Sequence, residues 1–347
     1  MSVGKINTEL LRQMVNEKLV SVQKHPTAEL FIYNYSPKVQ YDKLWNEITL
    51  QTRGLILDGQ MNLVAKPFGK FFNLEEHQPN EIPETAFDVF EKLDGSLGIL
   101  YWLNDKPFIA TRGSFESEQS QHATEILYSK YSHTFERLNR KATYLFEIIY
   151  PKNRIVVDYG SMDDLVLLTA IEHETGKEFI EDVGFPIVKR FDGINDLQHL
   201  KTLQKKNKEG FVVRFQNGFR VKMKFDEYVR LHRIITGISN VAVWEYLKDN
   251  KPFDELISKV PDEFYDWLMQ TANSIEMNYK LIFEDAQKRY RQLWNEDKKT
   301  FALRVMDEAK DISAILFNMY NGKKVEPAIW KIVRPTYSKA FKNDNDI

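Results

Sequence analysis

Between about residues 28 and 225 the chain carries short runs of β-branched and aromatic residues, at 30–35, 54–57, 97–103, 144–150, 165–171, 211–215 and 219–224. Runs of this length bounded by polar and turn-forming residues predict strands. Two stretches of helical spacing interrupt them, at 116–131 and 197–206, and the first 19 residues mix charged and apolar positions as an ordinary surface helix does. The strands are too irregularly spaced for a βαβ repeat, so the pattern predicts an α+β fold with antiparallel sheets. After about residue 226 the period changes. Ile275, Tyr279, Ile282, Phe283, Ala286, Tyr290 and Leu293 fall at steps of three and four, one face of a helix, and no strand-like run follows. The expected division is a mixed N-terminal domain over 1–240 and an all-helical C-terminal domain over 241–347.

Composition narrows the function. Apolar residues make up 43% of 347, with 23 Phe, 16 Tyr and 6 Trp, which is enough for a sizeable core and excludes a disordered chain. The absence of Cys removes disulfide scaffolds, thiolate metal sites and cysteine nucleophiles. Lys and Arg total 48 against 50 Asp and Glu, a net charge of −2, so any contact with a polyanion must be local rather than a basic coat. No apolar stretch approaches the ~20 residues of a membrane span, and the expected location is cytoplasmic, with no membrane partner.

Lysine and carboxylate chemistry remain. Lys92-Leu93-Asp94-Gly95-Ser96-Leu97 lies between two apolar runs, which puts a lysine at a strand-to-turn junction with a carboxylate two residues on. A lysine attacks phosphorus only when deprotonated, so a nucleophilic role requires desolvation or neighbouring cations. A hairpin turn with a solvated lysine fits the same six residues. In the segment 219–225 the side chains alternate, so Arg220, Lys222 and Lys224 share one strand face and Phe219, Val221, Met223 and Phe225 the other. Gln216-Asn217-Gly218 is a hairpin turn signal joining this strand to the run after Glu209. The result is a cationic hairpin, read either as a phosphate site or as an amphipathic strand with a solvated basic face. Glu147 interrupts an apolar strand and needs a partner, a metal or a ligand hydroxyl there, unless that strand is an edge facing water. The seven His show no metal-ligand spacing, and neither GxGxxG nor GxxxxGK[ST] occurs.

Taken in order, Arg53-Gly54, Lys70-Phe71-Phe72-Asn73, Lys92-Leu93-Asp94-Gly95, Arg112-Gly113-Ser114, Phe146-Glu147, Glu209-Gly210-Phe211-Val212 and Lys222-Met223-Lys224 resemble the motif series of covalent nucleotidyltransferases. The match is to the phage-type RNA ligase 1 family of ATP-dependent tRNA-repair ligases, and it extends over about residues 30–235. Tyr33-Asn34-Tyr35 ahead of the series and Tyr228-Val229-Arg230-Leu231-His232 behind it add to the resemblance.

The resemblance implies an ATP-grasp-like nucleotidyltransferase domain followed by a helical domain that selects RNA. It implies that Lys92 attacks the α-phosphorus of ATP to form lysyl-AMP, with Asp94 and Glu209 assisting catalysis. Tyr33 would contact the nucleotide, Glu147 its ribose, and Arg53, Lys70, Lys222 and Lys224 would hold phosphates. Arg112 stands where the family carries lysine and would contact RNA. Mg²⁺ would assist, with Glu209 and Asp262 as candidate ligands. The implied partners are RNA with 3′-hydroxyl and 5′-phosphate ends, a broken tRNA in particular, and an end-healing kinase or phosphatase. A DNA ligase or capping enzyme would carry a barrel where this sequence reads as helices. A non-catalytic RNA-binding protein would not place Asp94, Glu147 and Glu209 beside phosphate-binding cations.

Overall fold

The computed structural model describes residues 6–236, 239–259 and 265–336. Contacts divide the chain into two compact units, residues 1–235 and 236–347.

In the first unit, α1 (Thr8–Asn16) precedes β1 (Val20–Lys24) and β2 (Leu30–Tyr35), and α2 (Pro37–Tyr41) precedes β3 (Arg53–Asp58), β4 (Leu63–Ala65) and β5 (Phe72–Asn73). Then come β6 (Phe87–Lys92), β7 (Ser96–Leu103), β8 (Lys106–Ala110), α3 (Glu118–Tyr131), β9 (Ala142–Ile149), β10 (Asp164–Glu172), β11 (Glu178–Phe179) and β12 (Arg190–Phe191). The unit ends with α4 (Leu197–Thr202), β13 (Gly210–Phe215), β14 (Arg220–Lys224) and α5 (Asp226–Thr236). The strands form three sheets, in the orders β1-β2-β3-β4, β11-β10-β9-β7-β8 and β12-β6-β13-β14-β5. Strand pairing is antiparallel except between β14 and β5, where Val221 lies beside Phe72 and Lys222 beside Asn73. This is the α+β architecture with antiparallel sheets that the spacing predicts.

Local chemistry explains the tight connections. Asn104 and Asp105 both take positive φ, 49° and 61°, the backbone that lets a two-residue turn follow the strand twist between β7 and β8. In the β13–β14 turn the Asn217 side chain accepts from the Phe219 amide at 3.0 Å. Ser117 caps α3 by accepting from the Ser120 amide at 3.2 Å.

Alternation then divides each strand between two environments. On the third sheet Val89, Phe211, Val213, Val221 and Met223 point into an apolar core shared with Leu200 of α4. The opposite face carries Lys92, Phe90 and Asp88 from β6, Arg214 from β13, and Arg220, Lys222 and Lys224 from β14, in register across the strands. On the second sheet Tyr144, Phe146 and Ile148 of β9 pack with Ala123, Ile126 and Leu127 of α3, which leaves Leu145, Glu147 and Ile149 on the other face.

The second unit consists of α6 (Asn240–Lys248), α7 (Phe253–Lys259), α8 (Tyr265–Leu293), α9 (Lys298–Glu308), α10 (Ser313–Tyr320) and α11 (Glu326–Ile332), with no strand among its described residues. Its core gathers Ala286, Leu293, Phe301, Val305, Ile315, Leu316 and Ile329. The helical face read from 275 to 293 is the inner face of α8. Among the described residues no helix is long and apolar enough to cross a membrane.

Candidate active site

Lys92 is the last residue of β6, and the Leu93-Asp94-Gly95 link carries the chain from the third sheet into β7 of the second. The link is therefore not the tip of a hairpin. Asp94, 4% exposed, anchors it. Its Oδ2 accepts from the amides of Val156 and Val157 at 2.8 Å each, and its Oδ1 accepts from the Tyr228 hydroxyl at 2.7 Å. The Asp94 amide donates to the Tyr159 oxygen at 2.8 Å, and the Gly95 amide to Glu147 Oε1 at 2.9 Å. A Cβ at Gly95 would lie 2.5 Å from the Ile148 carbonyl oxygen, so only glycine lets the link approach β9 this closely.

Across the sheet, Gly210 of β13 stands in register with both Lys92 and Lys224. A Cβ there would come within 1.9 Å of the Met223 carbonyl oxygen. Its neighbour Glu209, 4% exposed, reaches Lys92 Nζ with Oε1 at 2.7 Å, and Lys224 Nζ stands 3.9 Å from the same oxygen. Lys222, 8% exposed, is buried in the next row beside Asn73. Two lysines thus share one buried carboxylate. Glu209, expected to assist Lys92, lies against both Lys92 and Lys224.

Glu147 is half-buried on β9, the central strand of its sheet, which removes the edge-strand alternative. Burial pushes its carboxyl up to about 7, opposed by the Lys92 ammonium and reinforced by the nearby charge of Glu209. Burial also raises the Glu209 carboxyl above the usual carboxylate range, with Lys92 and then Lys224 pulling the other way.

A stability prediction follows from Glu147. A carboxyl whose folded pKa exceeds its unfolded one holds its proton more tightly when folded. The resulting stabilisation is complete below the unfolded value of 4.5 and is lost as pH rises through about 7. Glu147→Gln keeps an acceptor for the Gly95 amide and carries no charge. Thermal unfolding in the absence of nucleotide should show the variant gaining on the parent from pH 5 to pH 8, by roughly 1–3 kcal/mol. A constant difference across that range would mean that Glu147 does not titrate in it.

The other expected residues are distributed as follows. Arg53 opens β3 in register with Asn34 of β2. Lys70 Nζ lies 3.3 Å from Gln40 Oε1 and 5.3, 5.5 and 5.9 Å from the ring centres of Phe72, Trp45 and Tyr35. Arg112 is exposed, its guanidinium 5.6 Å from the same Tyr35 ring. Tyr33, 7% exposed, packs in the core between α1 and the first sheet, and its hydroxyl donates to Met61 Sδ at 3.7 Å. The aromatic ring beside Lys70 and Arg112 is therefore that of Tyr35, and Trp45, in a loop without a motif, joins it. Asp262 lies outside the described residues.

The hairpin's basic face is not a solvated surface. Arg220 forms a forked ion pair with Glu178 of β11, and Arg214 Nη2 lies 2.7 Å from Asp88 Oδ2. Glu178 of β11 thus joins the second sheet to Arg220 of the third, and Arg214 pairs within the third sheet with Asp88 of β6, leaving Lys222 and Lys224 as the hairpin's ammoniums nearest Lys92. Among the described residues no group of three or more His, Asp or Glu is placed to hold a metal ion.

The profile of a family described as RNA ligase matches residues 51–228, just over half of the chain and all of the motifs from Arg53 to Lys224. The chain belongs to this phage-type RNA ligase family. It is 24% identical to an RNA ligase of Rhodothermus phage RM378, over 81% of this chain and 83% of that protein. It is 25% identical to a protein of Autographa californica nuclear polyhedrosis virus named as a bifunctional polynucleotide kinase/RNA ligase, over 72% of this chain and 40% of the viral one. Among solved structures, a Naegleria gruberi RNA ligase with pyrophosphate aligns at 20% identity and a TM-score of 0.40, over 50% of this chain and 60% of that one.

Proposed function

We infer that the chain is an ATP-dependent RNA ligase acting through lysyl-AMP. The observation that carries the reading is Lys92 at the end of β6, 2.7 Å from the buried carboxylate of Glu209, in a chain of RNA ligase sequence. ATP would lie with its α-phosphorus at Lys92 and its phosphates against Lys222 and Lys224. Glu209, whose raised proton affinity suits an acceptor, takes the proton from the Lys92 ammonium. The Nζ lone pair then attacks the α-phosphorus, a P–N bond forms, the α–β bridging P–O bond breaks, and pyrophosphate leaves. In the second step an RNA 5′-phosphate oxygen attacks the same phosphorus and frees Lys92. In the third, an RNA 3′-hydroxyl attacks the 5′-phosphate and AMP leaves.

Asp94 is the positioning residue of this scheme, because its three accepted hydrogen bonds fix the link that follows Lys92. Glu147 is kept for the ribose, and a Mg²⁺ ion fits as a companion of the nucleotide, with a Glu209 oxygen as one ligand and phosphates supplying others. Bound there it would neutralise charge on the leaving pyrophosphate. Arg53 and Lys70 are assigned to phosphates, Arg112 to RNA, and a broken tRNA is the proposed physiological substrate, with an end-healing kinase or phosphatase as companion activity.

The test is sealing. A 5′-phosphorylated, 3′-hydroxyl RNA strand should be circularised or joined with ATP and Mg²⁺, faster than a nicked DNA duplex and not with GTP. Preferential sealing of DNA, or labelling of the protein by GTP alone, would replace this reading with that of a DNA ligase or capping enzyme.

A further inference from the structure

The second unit contains a cavity of about 660 Å³, lined by one face of α8 together with Asn240 at the start of α6, Ile332 at the end of α11 and residues 333–335 after it. On α8 the stripe Trp267, Thr271, Ser274, Asn278 and Leu281 runs at alternating steps of four and three, one face of a continuous helix. It lies beside the inner face marked by Leu268, Ala272 and Ile275, each at most 5% exposed. Its middle, Thr271, Ser274 and Asn278, is polar, and its two ends, Trp267 and Leu281, are apolar.

The lining chemistry is selective. Asn240, Gln270 and Asn278 bring carboxamides, each a donor and an acceptor at adjacent atoms, and Thr271 and Ser274 add hydroxyls. Among the described residues of the lining Arg334 is the cation, and none is Asp or Glu. The far wall is pre-organised. Trp244 Nε1 donates to the Trp330 carbonyl at 2.9 Å, the Arg334 guanidinium lies 5.3 Å from the Trp244 ring centre, and Asn240 Nδ2 donates to the Thr336 carbonyl at 2.7 Å. Arg334 is thereby held at the rim by the Trp244 ring rather than by a carboxylate.

Carboxamides match the paired donor and acceptor on a nucleobase edge, a half-buried indole offers a stacking surface, and a guanidinium suits a phosphate. A cavity of this size is large enough for one or two nucleotides. We propose that this cavity is a binding site for an unpaired nucleotide of the RNA substrate, with Trp267 stacking on the base, Asn278 and Gln270 at its edge, and Arg334 on a phosphate. This rests on the ligase reading for its ligand and adds a contact at a distance from the sealed ends. A short peptide, from another protein or from this chain's own residues 337–347, is the competing occupant, since Leu281 and Ile332 are 51% and 43% exposed at the rim.

The full chain should be irradiated with a 5′-phosphorylated RNA strand carrying 5-iodouridine at single-stranded positions, and the cross-linked peptide mapped by mass spectrometry. A cross-link at Trp267 is the expected result. Asn278→Trp, an exposed position whose new ring fills the cavity, should abolish that cross-link. It should also raise KM for a long strand about tenfold, while leaving lysyl-AMP formation and the joining of strands only a few nucleotides long unchanged. Arg334→Ala should weaken binding of the long strand and flatten its salt dependence by about one unit of slope.

Unchanged cross-linking and KM in Asn278→Trp would overturn the proposal. So would faster proteolysis of residues 337–347 in that variant without any change in RNA binding, which would assign the cavity to the chain's own tail. The two readings fail separately. A parent that cross-links at Trp267 but seals nothing would refute the ligase assignment alone, and a parent that seals while ignoring Asn278→Trp would refute the cavity alone.

Discussion

Lys92→Ala should leave the protein folded and abolish transfer of radiolabel from α-labelled ATP to the chain, to below about a thousandth of the parent rate. The side chain is 22% exposed on its strand end, and its removal takes away one partner of Glu209 while Lys224 remains 3.9 Å from the same oxygen. Folding should therefore survive, which circular dichroism checks. The variant separates the steps of the proposed reaction. Lys92 is the leaving group of the second step and forms no bond in the third, so the variant should fail to seal phosphate-ended RNA with ATP yet still seal RNA supplied already adenylated. Label that persists on the variant would remove Lys92 as nucleophile. Loss of sealing with adenylated RNA would give Lys92 a part in the last step as well.

The largest stability effect should come from Asp94. Its carboxylate accepts from two buried amides and one buried hydroxyl, so Asp94→Ala leaves the Val156 and Val157 amides and the Tyr228 hydroxyl without their acceptor. Stranding buried donors, rather than losing the bonds themselves, sets the penalty, expected at about 3–5 kcal/mol. For a domain of this size that corresponds to a fall in Tm of roughly 10 °C. Asp94→Asn keeps an acceptor oxygen and should lose about half as much. Because the anchored link carries Lys92 at one end and Gly95 at the other, Asp94→Asn should also slow lysyl-AMP formation at temperatures where the variant is fully folded. A Tm within a degree of the parent for Asp94→Ala would show that the anchor contributes nothing to stability.

The sequence by itself determined what depends on local period and on residue type. The hairpin around Asn217-Gly218 follows from a turn signal between two alternating runs, and the inner face of α8 from steps of three and four between Ile275 and Leu293. The order of the lysine, arginine and carboxylate motifs was likewise enough to name the family that the profile over 51–228 matches. Alternation also separated Lys222 and Lys224 from Val221 and Met223.

Tertiary structure decided what each face meets, because a period of two states which residues share a face and not what lies opposite. The face carrying Arg220, Lys222 and Lys224 could have been solvated. Pairing with β5 and β13 and the approach of Glu178 make it an interior surface, where Arg220 and Arg214 are ion-paired. Short strands such as β5 and β12, two residues each, exist only through their neighbours, and no run of that length carries a periodic signal. The ion pair of Lys92 with Glu209 joins residues 117 positions apart, and the anchoring of Asp94 by Val156, Val157 and Tyr228 spans 62 to 134 positions. Such contacts follow from strand register and from the crossing between sheets, so the chemistry of the link after Lys92 becomes fixed only once the sheets are assembled.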